Sequence, residues 1–356
     1  MGRQKRSSQS VTIKDIARLA GVSVSTVSRV LNHLDRVSDE TRTRVNDAVE
    51  KLGYTQNALA TSLVTGQTRI VMIVVPDFIL DFNNVALQFA EDTFRRHGYQ
   101  SMIFFSGEDP EADPLSYLNR YIHLIDGALV VPTRNRIFDL QRFRKPIVLI
   151  NRTMAGCELN SVTIDNFRGC YTLTQLLLEK NHKKIAILPI DTDMNIGTDC
   201  LQGFCQAMLD AGLRPEDRYI RRCQINQVGI LNQYWSNGAR NLLFRQSSYL
   251  NTLDLLAMED PPTAIVACNE NICAGCLQAL QENHLVPGKD ISLVSFDDLS
   301  TPLVTPGITS AFTPRDLIGR YGAERLLEMI ANPDDHRIIH RELDSCLMLR
   351  ESIVQL

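Results

Sequence analysis

Residues 11–32 read VTIKDIARLAGVSVSTVSRVLN, two short amphipathic runs separated by Gly21-Val22-Ser23. Thr12 followed three positions later by Asp15 is a capping-box start for a helix. Ile13, Ile16, Ala17 and Ala20 then recur on one helical face. Gly21 can take a positive φ without a Cβ clash, and Ser23 can cap the second run. That second helix is predicted over residues 24–31, with Val27, Val30 and Leu31 turned back toward the first. Two such helices make a helix-turn-helix, whose second helix can enter a DNA major groove. Its outer face carries Val24, Ser25, Ser28 and Arg29, all but the last small enough to let it approach base edges closely. Arg29 is the one long donor, suited to paired hydrogen bonds with guanine O6 and N7. A helical hairpin of no special function has the same local pattern, so the surroundings decide.

Downstream, Ser38 can cap a third helix that carries Asp39 and Glu40 in its first turn, where they favour the positive dipole end. Ala48, Val49 and Leu52 give that helix a core face, and Gly53 ends it. The first ten residues, MGRQKRSSQS, are polar and basic, and are expected to form a disordered arm. They lack the apolar core of a secretory signal, and no run of eighteen apolar residues occurs anywhere, so a cytoplasmic protein without membrane contact is expected. The net charge of −4 hides an asymmetry: residues 1–66 carry a balance of +4 and the remainder −8. A basic head on an acidic body suits phosphate contact at one end.

At 356 residues the chain is too long for one core and points to two or three domains. From residue 69 the rhythm alternates strands and helices. Strands are expected at 70–75, 101–105, 128–131, 147–150 and 162–164, then at 185–189, 219–223, 264–267 and 291–296. Helices are expected at 84–97, 167–181, 200–211 and 272–283. Short apolar strands separated by helices indicate parallel sheets covered on both faces, here an α/β core of two doubly wound subdomains. Ligands of open α/β sheets bind beyond the carboxyl ends of the strands, which places one ligand between the two sheets.

Catalytic chemistry finds no foothold. There is no Gly-x-Ser-x-Gly, P-loop or dinucleotide fingerprint, and the seven His do not cluster with Cys or paired carboxylates, so no enzyme activity and no cofactor are expected. Nine cysteines, an odd number at low density, argue against a disulfide framework. Cys273-Ala-Gly-Cys276 with Cys268 upstream looks like a metal or redox motif, but no second Cys or His pair is spaced to complete a zinc site. Packing as small hydrophobes is the expected role of these thiols, and no metal is expected.

The segments T-I-K-D-I-A (12–17), A-G-V-S (20–23), T-V-S-R-V-L-N (26–32), V-S-D-E-T-R-x-R-V (37–45) and G-Y-x-x-N-x-x-A-x-x-L (53–63) occur in this order. Together they closely resemble the N-terminal region of the lactose-repressor/galactose-repressor (LacI/GalR) family of bacterial transcription factors. The resemblance implies a repressor that binds a palindromic DNA operator as a homodimer under control of a small-molecule effector, a sugar or sugar derivative. With it, the set expected to touch DNA is Thr12, Val24, Ser25, Thr26, Ser28, Arg29, Asn32, Asn57, Ala60 and Leu63. Residues 57–66 alone read as a linker or a marginal helix between Asn57 and Gly66. The resemblance makes them a hinge helix formed on the operator, with Leu63 wedged into a minor-groove base step and Ala60 allowing close approach of its twin.

The implied division is an arm at 1–10, a helix-turn-helix domain at 11–56, a hinge at 57–67 and a periplasmic-binding-protein-like core at 68–356. Within the core the resemblance puts residues of about 68–164 and 300–326 in one subdomain, and about 165–299 and 327–356 in the other. It also carries effector-binding roles to Asp77, Phe82, Asn151, Arg152, Asn269 and Asp297, puts Cys200 at the place of a family arginine, and leaves Arg315 as the candidate to replace that cation. Two departures stand out. The family's Arg-x-x-Gly-[Phe/Tyr] element reads Cys200-Leu-Gln-Gly203-Phe204, and a thiol lacks the planar multidonor grip of a guanidinium. If Arg315 or Arg152 takes over that cation's place, the effector is expected to carry an acidic group. The segment 227–262, containing Tyr234, Trp235 and Tyr249, is longer than the family norm and is expected to add a lid or an interface. No terminal leucine heptads indicate a coiled-coil tetramer. A solute receptor without regulatory role, or an enzyme acting on the cleft ligand, are the alternative readings; the missing signal peptide and the DNA head argue against the first, and turnover of candidate ligands would discriminate the second.

Overall fold

The structure, a computed structural model, describes residues 11–31, 37–54, 66–75, 81–105, 114–132, 137–153, 156–191, 195–223, 240–297 and 306–356. The expected arm, Asn32, Asn57, Ala60, Leu63, Asp77, Tyr234 and Trp235 lie outside them. The chain divides into two compact units, Met1–Thr68 and Arg69–Leu356.

The smaller unit contains α1 (Ile13–Ala20), α2 (Val24–Leu31) and α3 (Asp39–Leu52). Ile16, Ala17, Ala20, Val27, Val30, Val45 and Ala48 form its core, one face from each helix. Ser38 caps α3 by accepting the Thr41 N–H, and Gly53 closes it in the left-handed conformation at φ 59°.

The larger unit has two sheets. In the first, β1 (Ile70–Val75), β2 (Gln100–Phe105), β3 (Gly127–Val130), β4 (Ile147–Ile150), β5 (Asn160–Ile164) and β10 (His340–Leu343) run parallel in the order β10-β5-β4-β3-β1-β2. The second is ordered β11-β9-β8-β7-β6, with β6 (Ile185–Leu188), β7 (Ala264–Ala267), β8 (Ser292–Phe296) and β9 (Thr309–Phe312) parallel and β11 (Cys346–Met348) antiparallel at the edge. Helices α4 (Asp81–Arg96), α5 (Pro114–Arg120), α6 (Ile137–Leu140) and α11 (Arg315–Ala331) belong with the first sheet. Helices α7 (Asn166–Glu179), α8 (Asn195–Asp210), α9 (Arg240–Leu256) and α10 (Glu270–Glu282) belong with the second.

Strand periodicity explains why apolar residues run without interruption. Val71, Ile73 and Val75 join one apolar cluster, whereas Met72 and Val74 between them join another on the opposite face. In β6, Ile185 and Ile187 divide from Ala186 and Leu188 in the same way. Side chains alternate across a strand, so a sheet covered on both faces needs an apolar residue at every position.

Two expectations are corrected here. Residues 219–223 do not form a strand: a 3-10 turn at Asp217–Tyr219 leads into single bridges, Ile187 to Ile220 and Ile190 to Cys223. Sheet membership also cuts across the expected division, since β9 at 309–312 sits in the second sheet and β10 at 340–343 in the first. Backbone pairing with β8 and β5 respectively decides those positions.

Residues at the back of the second sheet are locked by His182. Its Nδ1 meets Thr263 Oγ1 at 2.9 Å, and its Nε2 meets the Val354 carbonyl at 3.0 Å and Ser292 Oγ at 2.8 Å. Burial pushes the His182 pKa down. The unfolded chain, with an ordinary His titrating at about 6.5, therefore binds a proton that the folded protein resists. This contribution to stability is complete above that pH and shrinks as pH falls below it. The urea midpoint should drop between pH 7 and pH 5, and His182→Gln should flatten that slope while lowering the midpoint at pH 7.

Candidate functional site

The head presents one built surface. Thr12 donates its N–H and its hydroxyl to the Asp15 carboxylate at 3.0 and 2.7 Å, and these bonds hold the Asp15 pKa below its ordinary value. Gly21 ends α1 at φ 63°, with its N–H on the Ala17 carbonyl. Arg44 of α3 donates to the carbonyls of Ala20 and Gly21, so the third helix holds the turn between the first two. Ser23 starts α2: its hydroxyl accepts the Thr26 N–H at 3.1 Å and meets the hydroxyls of Ser25 and Thr26 at 2.7 and 2.8 Å. With Val27 and Val30 buried, Val24, Ser25 and Arg29 are left exposed and Thr26 and Ser28 half-buried. One short helix thus gathers the described residues of the expected reading face.

In the larger unit, the polar residues sit where strands end. Asn151 follows β4 and Asp297 follows β8, both with positive φ, 70° and 72°, and both buried. Each donates its N–H to the neighbouring strand, Asn151 to Val162 of β5 at 2.9 Å and Asp297 to Ala311 of β9 at 3.0 Å. The two positions are therefore equivalent places in the two sheets. Asn and Asp tolerate the left-handed region better than other side chains with a Cβ, and strained backbone of this kind gathers at ligand sites.

Asn269 caps α10, its Oδ1 accepting the Ile272 N–H at 2.7 Å. That oxygen is committed to the helix, and the amide NH2 is the part suited to a ligand. Glu270, the next residue, reaches Arg315 at the start of α11: Arg315 Nη2 donates to Glu270 Oε2 at 2.7 Å and lies 3.5 Å from Asp297 Oδ1. Burial works against the Arg315 charge, but the carboxylates of Asp297 and Glu270 outweigh it and raise the pKa further. Arg152 is half-buried beside Asn151, and Phe82 falls in the first turn of α4.

The structure brings Asn269, Asp297 and Arg315 together and adds Glu270. It corrects two expectations built on the missing arginine. Arg315 is already paired with the carboxylates of Glu270 and Asp297, so its charge is engaged within the protein. Cys200 is fully buried in the apolar core. It shares a helix face with Gly203, where a Cβ would run into the Phe167 backbone of α7. That face is closed by helix packing, which leaves the small thiol inside.

Asn195 is a residue that sequence reasoning missed. It opens α8, beside the second sheet, and exchanges two bonds with the loop after β4 of the first: Thr153 N–H to Asn195 Oδ1 at 3.1 Å and Asn195 N–H to the Thr153 carbonyl at 3.3 Å. Its signal is an Asn ahead of a helical pattern whose predicted start, at residue 200, falls too late. The described part of the long segment is α9, whose Ser248 packs onto Gly275 of α10. It is a covering helix of the second sheet.

Comparison with known proteins matches both units. Residues 12–57 fit the model of bacterial regulatory proteins, lacI family. Residues 69–232 fit periplasmic binding proteins and sugar binding domain of LacI family, and residues 174–353 fit a periplasmic binding protein-like domain. The HTH-type transcriptional regulator RegA of Clostridium saccharobutylicum is 30% identical over 93% of this chain and 98% of its own length. A solved complex of the transcriptional regulator CelR with cellobiose is 26% identical, with a TM-score of 0.69 over 96% of this chain and 99% of that one. The lac repressor dimer bound to operator and anti-inducer shares the fold, with a TM-score of 0.82 at 21% identity over 97% of this chain and 100% of that one.

The buried triad makes a stability prediction. Arg315→Met should cost about 3 kcal/mol, because it leaves two carboxylates facing each other without their cation. Adding Glu270→Gln should return part of that loss. Urea denaturation of the single and double variants measures both, and an unchanged single variant would show that the bridge is incidental.

Proposed function

The chain belongs to the lacI family of bacterial regulatory proteins, and from that premise we propose how its parts work together. It is a DNA-binding transcriptional regulator, not an enzyme. Acting as a repressor in the cytoplasm, two copies bind the two halves of a palindromic operator. The division at residues 57–67 serves as the hinge on the operator, with Leu63 wedged into the minor groove and Ala60 letting the twin hinge approach, and α2 enters the major groove.

One observation carries the DNA reading: Val27 and Val30 are buried while Val24, Ser25 and Arg29 stand clear on the opposite side of α2. A helix anchored by one face and bearing small residues beside one arginine on the other is what close approach to base edges requires. Arg29→Ala should cost about 1–3 kcal/mol on the cognate operator and little on random duplex. Equal losses on both DNAs, measured by fluorescence anisotropy at one salt concentration, would reduce Arg29 to a phosphate contact.

The effector binds at the strand ends, against Asn151, Arg152, Asn269 and Asp297, with Asp77 and Phe82 closing the other side. Arg315 positions Glu270 and Asp297 and is not itself the effector's counter-ion. With Arg315 engaged by two carboxylates, amide and carboxylate groups are what remain to meet a ligand, and the effector is a neutral, hydroxyl-rich molecule such as a sugar. Its hydroxyls donate to carboxylate oxygens and accept from amide NH2 groups. Titration calorimetry of the full chain against neutral and acidic sugars tests this. Asp297→Asn, which keeps the backbone conformation, should weaken binding of a neutral sugar by about 1.5–3 kcal/mol. Preference for a sugar acid or phosphate would overturn the assignment.

A further inference from the structure

Three thiols that the regulatory reading leaves unused converge inside the second half of the core. Cys170 comes from α7, Cys200 from α8 and Cys268 from the residue after β7. Their Sγ atoms all lie within 4.8 Å of one another, and all three residues have no exposed surface. Among the described residues this is the one gathering of three His, Cys, Asp or Glu ligand atoms so close. The segments that supply it are far apart in sequence, so the convergence is a product of the fold and not of a local motif.

Other buried thiols of the chain behave differently. Cys273 and Cys276 face the opposite side of the second sheet and join its apolar cluster with Cys223. Burial pushes the Cys223 and Cys276 thiols up to about 12, as expected of small hydrophobes in a dry core. Cys170 is as deeply buried, and desolvation opposes its ionisation. What distinguishes it is geometry: two further sulfurs lie within 4.8 Å of its own.

We propose that Cys170, Cys200 and Cys268 form a three-sulfur binding site for a soft monovalent metal ion, cuprous copper. A metal–sulfur bond of about 2.3 Å spaces three sulfurs round an ion by ~4 Å, so the trio needs only a small contraction to close on one. The three donors are sulfurs of residues in the apolar cluster, a set that does not suit the hard, oxygen-seeking cations. Zinc requires a fourth ligand, and the gathering contains three. Soft thiolate donors in a water-free pocket select copper(I). The ion enters and stays as copper(I), and the displaced thiol protons leave to solvent. Cys268 immediately precedes Asn269, so the ion would sit directly beneath the strand ends.

The test uses the full chain, reduced and under nitrogen, with one equivalent of copper(I) supplied as its bicinchoninate complex. The expected result is withdrawal of one ion per chain, a new ultraviolet thiolate-to-copper band and a raised melting temperature. Cys200→Ala and Cys268→Ala should each abolish all three signals. Cys346→Ser, at an exposed thiol, and Cys276→Ala, in the other apolar cluster, should leave them intact. Should the alanine variants not fold, Cys268→Ser preserves the side-chain volume, and its circular dichroism spectrum shows whether loss of binding has a structural cause. No withdrawal of copper by the unaltered protein, or withdrawal that survives Cys200→Ala with the fold intact, would overturn the proposal. So would preferential uptake of zinc.

Discussion

Arg315 is a cation sealed between two carboxylates that come from different strand ends, and the arrangement of the core turns on it. Glu270 opens α10 after β7, Asp297 follows β8, and Arg315 opens α11, the helix that returns to the first sheet. Each partner would be costly to bury alone, and the three are tolerable only together. The bridge therefore fixes where the chain leaves the second sheet and how α11 begins. It also places a cation between Glu270 and Asp297, next to Asn269.

The head follows a comparable economy of parts. Arg44 ties α3 to the turn by reaching the carbonyls at the end of α1 that a helix terminus leaves open. Gly21 is required there twice over: its φ of 63° suits a residue without a Cβ, and an added Cβ would come within 3.0 Å of the Arg44 guanidinium. With the turn pinned from behind, Val27 and Val30 seat α2 with help from Leu31, and Val24, Ser25 and Arg29 stay exposed.

Much of this was legible in the sequence. The helix-turn-helix announced itself through Thr12, Gly21 and Ser23, whose roles are local, and local chemistry is what a sequence displays. Strands β1, β4 and β7 were visible because burial on both faces demands unbroken apolar runs. What could not be read were contacts decided by distance. The Cys170, Cys200 and Cys268 gathering draws on three separate elements, while the nearby spacing of Cys268, Cys273 and Cys276 suggests a grouping that the sheet divides between its two faces. Resemblance alone puts Cys200 at the ligand, yet Gly203 on the same helix face lets α7 approach and shuts it in. Asn195 and Thr153 bond across 42 residues, with no periodic signal to connect them. The positions of β9 and β10 likewise depended on which strand each would pair with.

That last pairing has a consequence for how the protein is made. Ser161 of β5 lies beside His340 of β10, with a sequence separation of 179 residues. The first sheet thus stays open at one edge during translation, until nearly all of the second has been synthesised. At ordinary elongation rates of about 5–20 residues per second, that edge waits on the order of 10 seconds or more on the ribosome. An unpaired parallel edge is an aggregation hazard, and such distant pairings form slowly. The exposed polar residues of β10, His340, Arg341 and Glu342, lie on the strand that finally covers it. Pairing along this edge therefore waits until the nascent chain has passed residue 340.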